Sequence, residues 1–215
     1  MIPLIHDFDD ETVLVFGGGA VGARKARRFA AEAHVIVVSP TFVDADFGDS
    51  ECVRAAPDHD DVTGWLDRTS PALVVAATDD AALNAAIERH AHDAGVLVNR
   101  ADRSGDRDPR SVVVPATLRD GPVGIAVTTS GTSPAVSRRL RDELAPVVEG
   151  AGLVATVVSD LRADLKTRDL SAETRHAAIG AVAQDDAVWE AARDVGTESA
   201  VRAAAERALA AVLDE

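Results

Sequence analysis

A parallel, doubly wound α/β sheet, then a small β-containing segment and an all-helical tail, is the architecture this sequence predicts. Three observations carry it. Short apolar runs alternate with helix-period segments over the first hundred residues, the pattern of a parallel sheet covered by helices. Two β-rich runs then flank an Asp-Gly turn signal at Asp120–Gly121, as a hairpin requires. Beyond about residue 147 the chain is Ala-rich with helical periodicity.

Thr12–Phe16 (TVLVF) is apolar throughout and runs into three glycines, which suits a strand buried on both faces. Gly22, Ala26, Phe29, Ala30 and Ala33 recur at helical spacing and predict a helix over 20–33. His34–Val38 is a second strand, stopped by Ser39–Pro40, and Glu51–Ala56 a third. Ala72–Ala77 is a fourth, ending at Thr78–Asp79–Asp80. Asp79 or Asp80 caps the next helix, whose apolar face is Leu83, Ala86, Ile87, Ala91 and Ala94. Gly95 ends it, and Val96–Val98 is the fifth strand.

Residues 103–110 are polar and read as an exposed loop. Ser111–Leu118 and Val123–Thr129 form the hairpin. Ser133 as N-cap and Pro134 at the first helical position start a helix reaching about Leu144. Helix starts at Ser171 and Thr197, and breaks near Asp169 and Gly196, divide the tail.

With 47% apolar residues in 215, the chain buries more than one core. Its longest apolar runs fall far short of the roughly 20 residues that span a bilayer, so no membrane partner is expected. The amino terminus turns acidic at once and lacks a basic leader, which points to the cytoplasm. One cysteine, Cys52, allows no internal disulfide and reads as a small buried strand residue. Net charge is −14, spread along the chain, with Lys25 and Lys166 the only lysines. Such a surface repels phosphate backbones, so no nucleic-acid partner is expected, and it suits solubility at high salt. No His, Cys or carboxylate cluster suggests a metal site: His90 and His92, two apart on a helix, face different ways.

Chemistry concentrates at three places. Gly17–Gly18–Gly19–Ala20–Val21–Gly22 places Gly17, Gly19 and Gly22 in the G-x-G-x-x-G pattern between a strand and a helix. Gly17 permits the turn, Gly19 the close approach of a pyrophosphate, and Gly22 the packing of helix on strand. The amides opening the helix then face the phosphates. The acid that usually ends the second strand and binds ribose is replaced by Ser39–Pro40–Thr41, and no arginine stands there for a 2′-phosphate. NAD is therefore favoured over NADP. Second, Asn99–Arg100–Ala101–Asp102 leaves the carboxyl end of the fifth strand, the edge that faces ligands. A carboxylate there suits a general base; by spacing alone, a solvated loop aspartate is the better reading of Asp102. Third, Thr128–Pro134 sets hydroxyls and free amides before a helix, as an anion site or as ordinary capping. Arg138, Arg139 and Arg141 follow, suited either to substrate carboxylates or to surface ion pairs.

Taken together, GGGAVGARKARRF, AATDD, NRAD and SGTSP with an arginine-bearing helix resemble the precorrin-2 dehydrogenases of siroheme biosynthesis over roughly residues 1–145. The resemblance implies NAD-dependent oxidation of the tetrapyrrole precorrin-2 to sirohydrochlorin, with ferrous-iron insertion left open. It implies a homodimer with a Rossmann domain (1–110), a dimerisation and substrate region (111–146) and a helical domain (147–215). Asp102 takes the place of the catalytic aspartate. Cofactor contacts fall on Gly17, Gly19, Ala20, Val21, Gly22, Ser39, Pro40, Thr41 and Thr78, and substrate contacts on Asn99, Thr129, Ser130, Thr132, Ser133 and Arg138. Gly22 stands where the family usually has alanine and reads as a benign change. The rival assignment is a non-catalytic NAD-sensing regulatory domain.

Overall fold

The computed structural model describes residues 3–103 and 111–213. The chain divides into two compact units: Met1–Val114 with Ser130–Thr132, and Pro115–Thr129 with Ser133–Glu215.

The first unit is built on a five-stranded parallel sheet in the order β3-β2-β1-β4-β5. Its strands are β1 (Thr12–Phe16), β2 (His34–Ser39), β3 (Ser50–Arg54), β4 (Leu73–Ala76) and β5 (Leu97–Arg100). Helices α1 (Ala20–Phe29), α2 (Asp61–Thr69) and α3 (Ala81–Asp93) connect them. Alternation along the strands sorts the core onto two faces. Val13, Val15, Val35, Val37 and Val75 pack with Ala26 of α1. Leu14, Phe16, Val38, Val74 and Val98 pack with Val62 and Leu66 of α2 and with Ile87 and Ala91 of α3. Each of these side chains contributes about 1.5–3 kcal/mol on burial. The strand order reverses between β1 and β4, and the crevice at that reversal is where such sheets bind ligands.

Several boundaries differ from those read in the sequence. Helix α1 stops at Phe29 rather than 33, because residues 30–33 turn back toward β2. Helix α2 carried too weak a pattern, with Gly64 and three β-branched residues in nine positions; its start is fixed by Asp58 Oδ1, which accepts from the amides of Asp60 (2.9 Å) and Asp61 (3.1 Å). Cys52 is exposed, contrary to expectation, because β3 is an edge strand with a solvated face. Strand β5 runs on to Arg100, two residues past its expected end. Ser111 forms only a single bridge to Val98, so the strand expected from 111 begins after Pro115, which has no N–H to give a ladder. Of the polar stretch 103–110, all but Arg103 lies outside the described residues.

The second unit contains the antiparallel hairpin β6 (Ala116–Asp120) and β7 (Val123–Val127). Gly121, at φ +53°, takes the first central position of its two-residue turn, as a type II′ turn needs. The hairpin packs on helix α4 (Pro134–Val148), and β7 also meets α5 (Ala151–Lys166). Thus the hairpin, expected in a region of its own, shares a unit with the tail. Helices α6 (Ala172–Gln184), α7 (Asp186–Glu190) and α8 (Glu198–Leu213), with a π-helical turn at Ala191–Val195, complete it. Their core is Val157, Leu161 and Leu165 of α5 against Ala178 and Val182 of α6 and Val201, Ala205 and Leu209 of α8. No single helix among the described residues is long and apolar enough to cross a bilayer.

Candidate functional site

The turn between β1 and α1 is wedged between two neighbours. Gly17 has φ +122°, and a Cβ there would lie 2.3 Å from the carbonyl oxygen of Ala77. A Cβ on Gly18 would fall 2.2 Å from the carbonyl oxygen of Thr41, and one on Gly22 only 1.9 Å from that of Gly17. Glycine at position 22 is therefore no benign replacement for alanine here, since the turn closes onto it. Gly19 differs from all three: a Cβ built on it meets nothing within 4 Å and points into open space.

That space is a cavity of about 570 Å³ at the sheet's carboxyl edge. The whole turn from Gly17 to Val21 lines it, with Ser39–Thr41 after β2 and Ala77–Asp80 after β4. Gly19 is the N-cap of α1 and offers no side chain to its amides, and the first helical turn holds no acid. Those amides and the positive end of the helix dipole are arranged for an anion. No carboxylate lines the cavity at the end of β2; Asp79 and Asp80 lie at the β4 end. Asp80 is committed to α3, accepting from the amides of Ala82 (2.8 Å) and Leu83 (3.1 Å). Those amides, Leu83's foremost, hold its carboxyl below the ordinary aspartate range. The glycine cradle, open at Gly19 alone, fits a dinucleotide pyrophosphate.

Two groups of polar side chains follow, one at Thr78 and one at the end of β5. Asn84 of α3 is fully buried; its Oδ1 accepts from the Thr78 amide (3.1 Å) and hydroxyl (2.8 Å), while its Nδ2 donates to the Thr78 carbonyl (3.0 Å). The second group centres on Asp102, its carboxylate gripped at both oxygens by Arg100: Nε donates to Oδ1 at 2.8 Å and Nη2 to Oδ2 at 2.6 Å. Arg100 also donates through Nη1 to Oε2 of Glu88 (3.0 Å), and Ser111 donates to the other Glu88 oxygen (3.3 Å). Side-chain exposure is 6% for Arg100, 8% for Glu88 and 27% for Asp102, so only Asp102 reaches solvent. The Arg100 hydrogen bonds hold the Asp102 carboxyl below its usual range against the opposing effect of burial, and the Asn84 amide adds to this. The same bonds push the Arg100 guanidinium up. Asp102 is thus anionic throughout the neutral range.

Sequence reasoning missed Asn84, Glu88 and Arg100. The available signal was their spacing: Asn84 and Glu88 lie one helical turn apart, beside the apolar stripe of Leu83, Ile87 and Ala91.

Other residues expected to meet the substrate take part in local hydrogen bonds. Asn99 is 4% exposed; its amide nitrogen donates to the Val112 carbonyl (2.7 Å) and ties β5 to the following segment, while its Oδ1 is buried with no hydrogen-bond partner among the described residues. The Thr129 hydroxyl donates to the Ser133 carbonyl and accepts from the Ser133 amide, both at 3.0 Å, and meets Ser137 Oγ at 3.2 Å; it closes the turn. Ser133 caps α4 through the Val136 amide (3.4 Å). Within that turn Ser130 and Gly131 have φ +54° and +88°. Thr132 and Arg138 are exposed, whereas Arg139 pairs with Glu143 (2.6 Å) and Arg141 with Asp142 (2.5 Å). Among the described residues no three His, Cys, Asp or Glu side chains are grouped to hold a metal.

Residues 4–116 match the family model described as "Putative NAD(P)-binding", and residues 120–145 that described as "Sirohaem biosynthesis protein central". A precorrin-2 dehydrogenase of Methanosarcina barkeri is 30% identical, with the alignment covering 98% of this chain and 93% of that protein. The chain belongs to the precorrin-2 dehydrogenase family. The siroheme synthase of Stutzerimonas stutzeri is 33% identical over 81% of this chain, which spans only 37% of that longer relative. Among solved structures, "SirC, precorrin-2 dehydrogenase" superposes with a TM-score of 0.69 at 21% identity, covering 97% of this chain and 98% of that one. The family's fold, a Rossmann-type sheet followed by a helical region, is therefore present along the whole chain.

Proposed function

We propose that this chain oxidises precorrin-2 to sirohydrochlorin with NAD⁺, and that Asp102 is its general base. The observation that carries this reading is that the first unit holds both a glycine cradle open at Gly19 and, at the carboxyl end of β5, an Asp102 carboxylate gripped at both oxygens by Arg100. The dinucleotide cavity and the partly exposed, ionised carboxylate thus share one sheet edge. NAD⁺, when bound, supplies the acceptor for a hydride. The amides of Gly19 to Val21 hold its pyrophosphate, and Ser39 and Thr41 stand near the ribose. With no carboxylate at the end of β2 and no arginine lining the cavity, neither cofactor's ribose is met by a charged side chain, and NAD is preferred over NADP through the smaller, uncharged 2′ position.

The substrate loses a hydride to the cofactor and a proton to the Asp102 carboxylate, so charge and atoms balance. The Arg100 bonds reduce the basicity of that carboxylate but keep it ionised and fixed, which favours a defined geometry over driving force. For the acidic arms of the macrocycle, the exposed Thr132 hydroxyl, in the same unit as Asp102, is the candidate partner, with the Ser130 turn beside it in sequence. The test is to incubate purified protein anaerobically with precorrin-2 and NAD⁺. NADH and sirohydrochlorin are expected to appear in equal amounts; NAD⁺ binding with neither product would assign the chain to cofactor sensing instead.

The protein acts as a cytoplasmic homodimer in this reading. Val136, Leu140 and Val147 recur at helical spacing along α4 and are 47%, 41% and 65% exposed, a stripe that a second copy would cover. Leu140→Glu is expected to shift the sedimentation coefficient to that of a monomer; an unshifted dimer would place the interface elsewhere.

A further inference from the structure

We infer that Arg100, anchored by Glu88, is a positioning residue that fixes the Asp102 carboxylate in one orientation. This rests on the assignment of Asp102 as base.

The geometry supports it in three ways. Arg100 meets Asp102 with two parallel N–H···O bonds, the fork that fixes a carboxylate in plane as well as in place. Arg100 is itself held by Glu88 from α3, through Nη1, which takes no part in the bonds to Asp102. And Arg100 and Glu88 are buried while Asp102 is not, so the grip acts where water screens it least.

The groups facing Asp102 and its clamp come from every neighbouring element: Asn84 and Glu88 from α3, Arg100 from β5, and Ser111 from the following segment. Arg103 approaches Glu88 at 3.9 Å. Two cations thus face two carboxylates. A like charge such as Glu88 opposes ionisation of Asp102, whereas the contacting guanidinium favours it. Because Arg100 touches Asp102 and Glu88 does so only through Arg100, the guanidinium prevails.

The experiment compares pH profiles of kcat/KM for precorrin-2 oxidation at saturating NAD⁺. Protonation of the substrate's own carboxylates is common to all proteins compared and cancels. Arg100→Gln alone leaves the buried Glu88 with only Ser111 and the more distant Arg103 as partners and is open to misfolding, so the decisive variant carries Glu88→Gln and Arg100→Gln together. Its activity is expected to fall in the ordinary aspartate range, a several-fold loss relative to its own neutral rate at a pH where the parent profile is still flat. Glu88→Gln alone keeps a hydrogen-bond acceptor for Arg100, and its profile is expected to stay flat. A double variant with the parent's flat profile would overturn the inference. If instead Asp102→Asn turns over like the parent, the base assignment itself falls, whatever the clamp does.

Discussion

Asp102→Asn is expected to lower turnover by orders of magnitude while leaving NAD⁺ binding intact. The substitution keeps the shape of the side chain but replaces the anionic carboxylate with a neutral amide too weakly basic to take a proton, and loss of a positioned base costs roughly 10²- to 10⁴-fold in rate. Asp102 does not line the cofactor cavity, so the dissociation constant for NADH stays at the parent value. The fold survives because Arg100 retains Glu88 as a partner. Stability carries a second signature. The Asp102 carboxyl is held below its ordinary range when folded, so its contribution is present above the unfolded pKa and lost as pH falls through the folded one. The gap in Tm between parent and variant is therefore widest near neutrality and closes in acid. Turnover within a factor of two or so of the parent, a difference under 1 kcal/mol in barrier, would remove Asp102 from the chemistry.

Gly17→Ala and Gly19→Ala separate the cradle's structural glycine from its functional one. At Gly17 an added methyl meets the Ala77 carbonyl oxygen at 2.3 Å, in a backbone conformation at φ +122°. Strain and overpacking together cost about 2 kcal/mol or more, a large share of a domain's stability, and Tm drops accordingly. At Gly19 the methyl meets no protein atom within 4 Å, so Tm is unchanged. It enters the space where a pyrophosphate must approach the helix amides, and NAD⁺ affinity falls about tenfold or more, which is about 1.4 kcal/mol. A Gly19→Ala protein that binds NAD⁺ like the parent would mean that the phosphates lie elsewhere.

The sheet was legible because its strands are buried on both faces and so read as unbroken apolar runs: β1 and β4 are TVLVF and LVVA. The glycine turn was legible because backbone sterics leave no other residue for Gly17 and Gly18. Helix α2 was not, since a nine-residue helix with a glycine at its centre is held by tertiary packing of Val62 and Leu66 rather than by propensity. The segment NRAD announced a carboxylate at the sheet edge but gave no sign of what grips it. Arg100 and Glu88 lie twelve residues apart, and only the stacking of α3 against β5 brings them together. Hydroxyls at Thr129 and Ser133 looked available because a sequence does not show that a turn spends its own side chains closing itself.

The most direct measurement is the structure of the chain with NAD⁺ bound. The pyrophosphate is expected on the amides of Gly19, Ala20 and Val21, the adenosine end beside Ser39–Thr41, and the nicotinamide past Thr78 toward the Asp102 carboxylate. A dinucleotide whose nicotinamide leaves the cavity on the far side, away from Asp102, would contradict the account and leave the carboxylate without a part in oxidation.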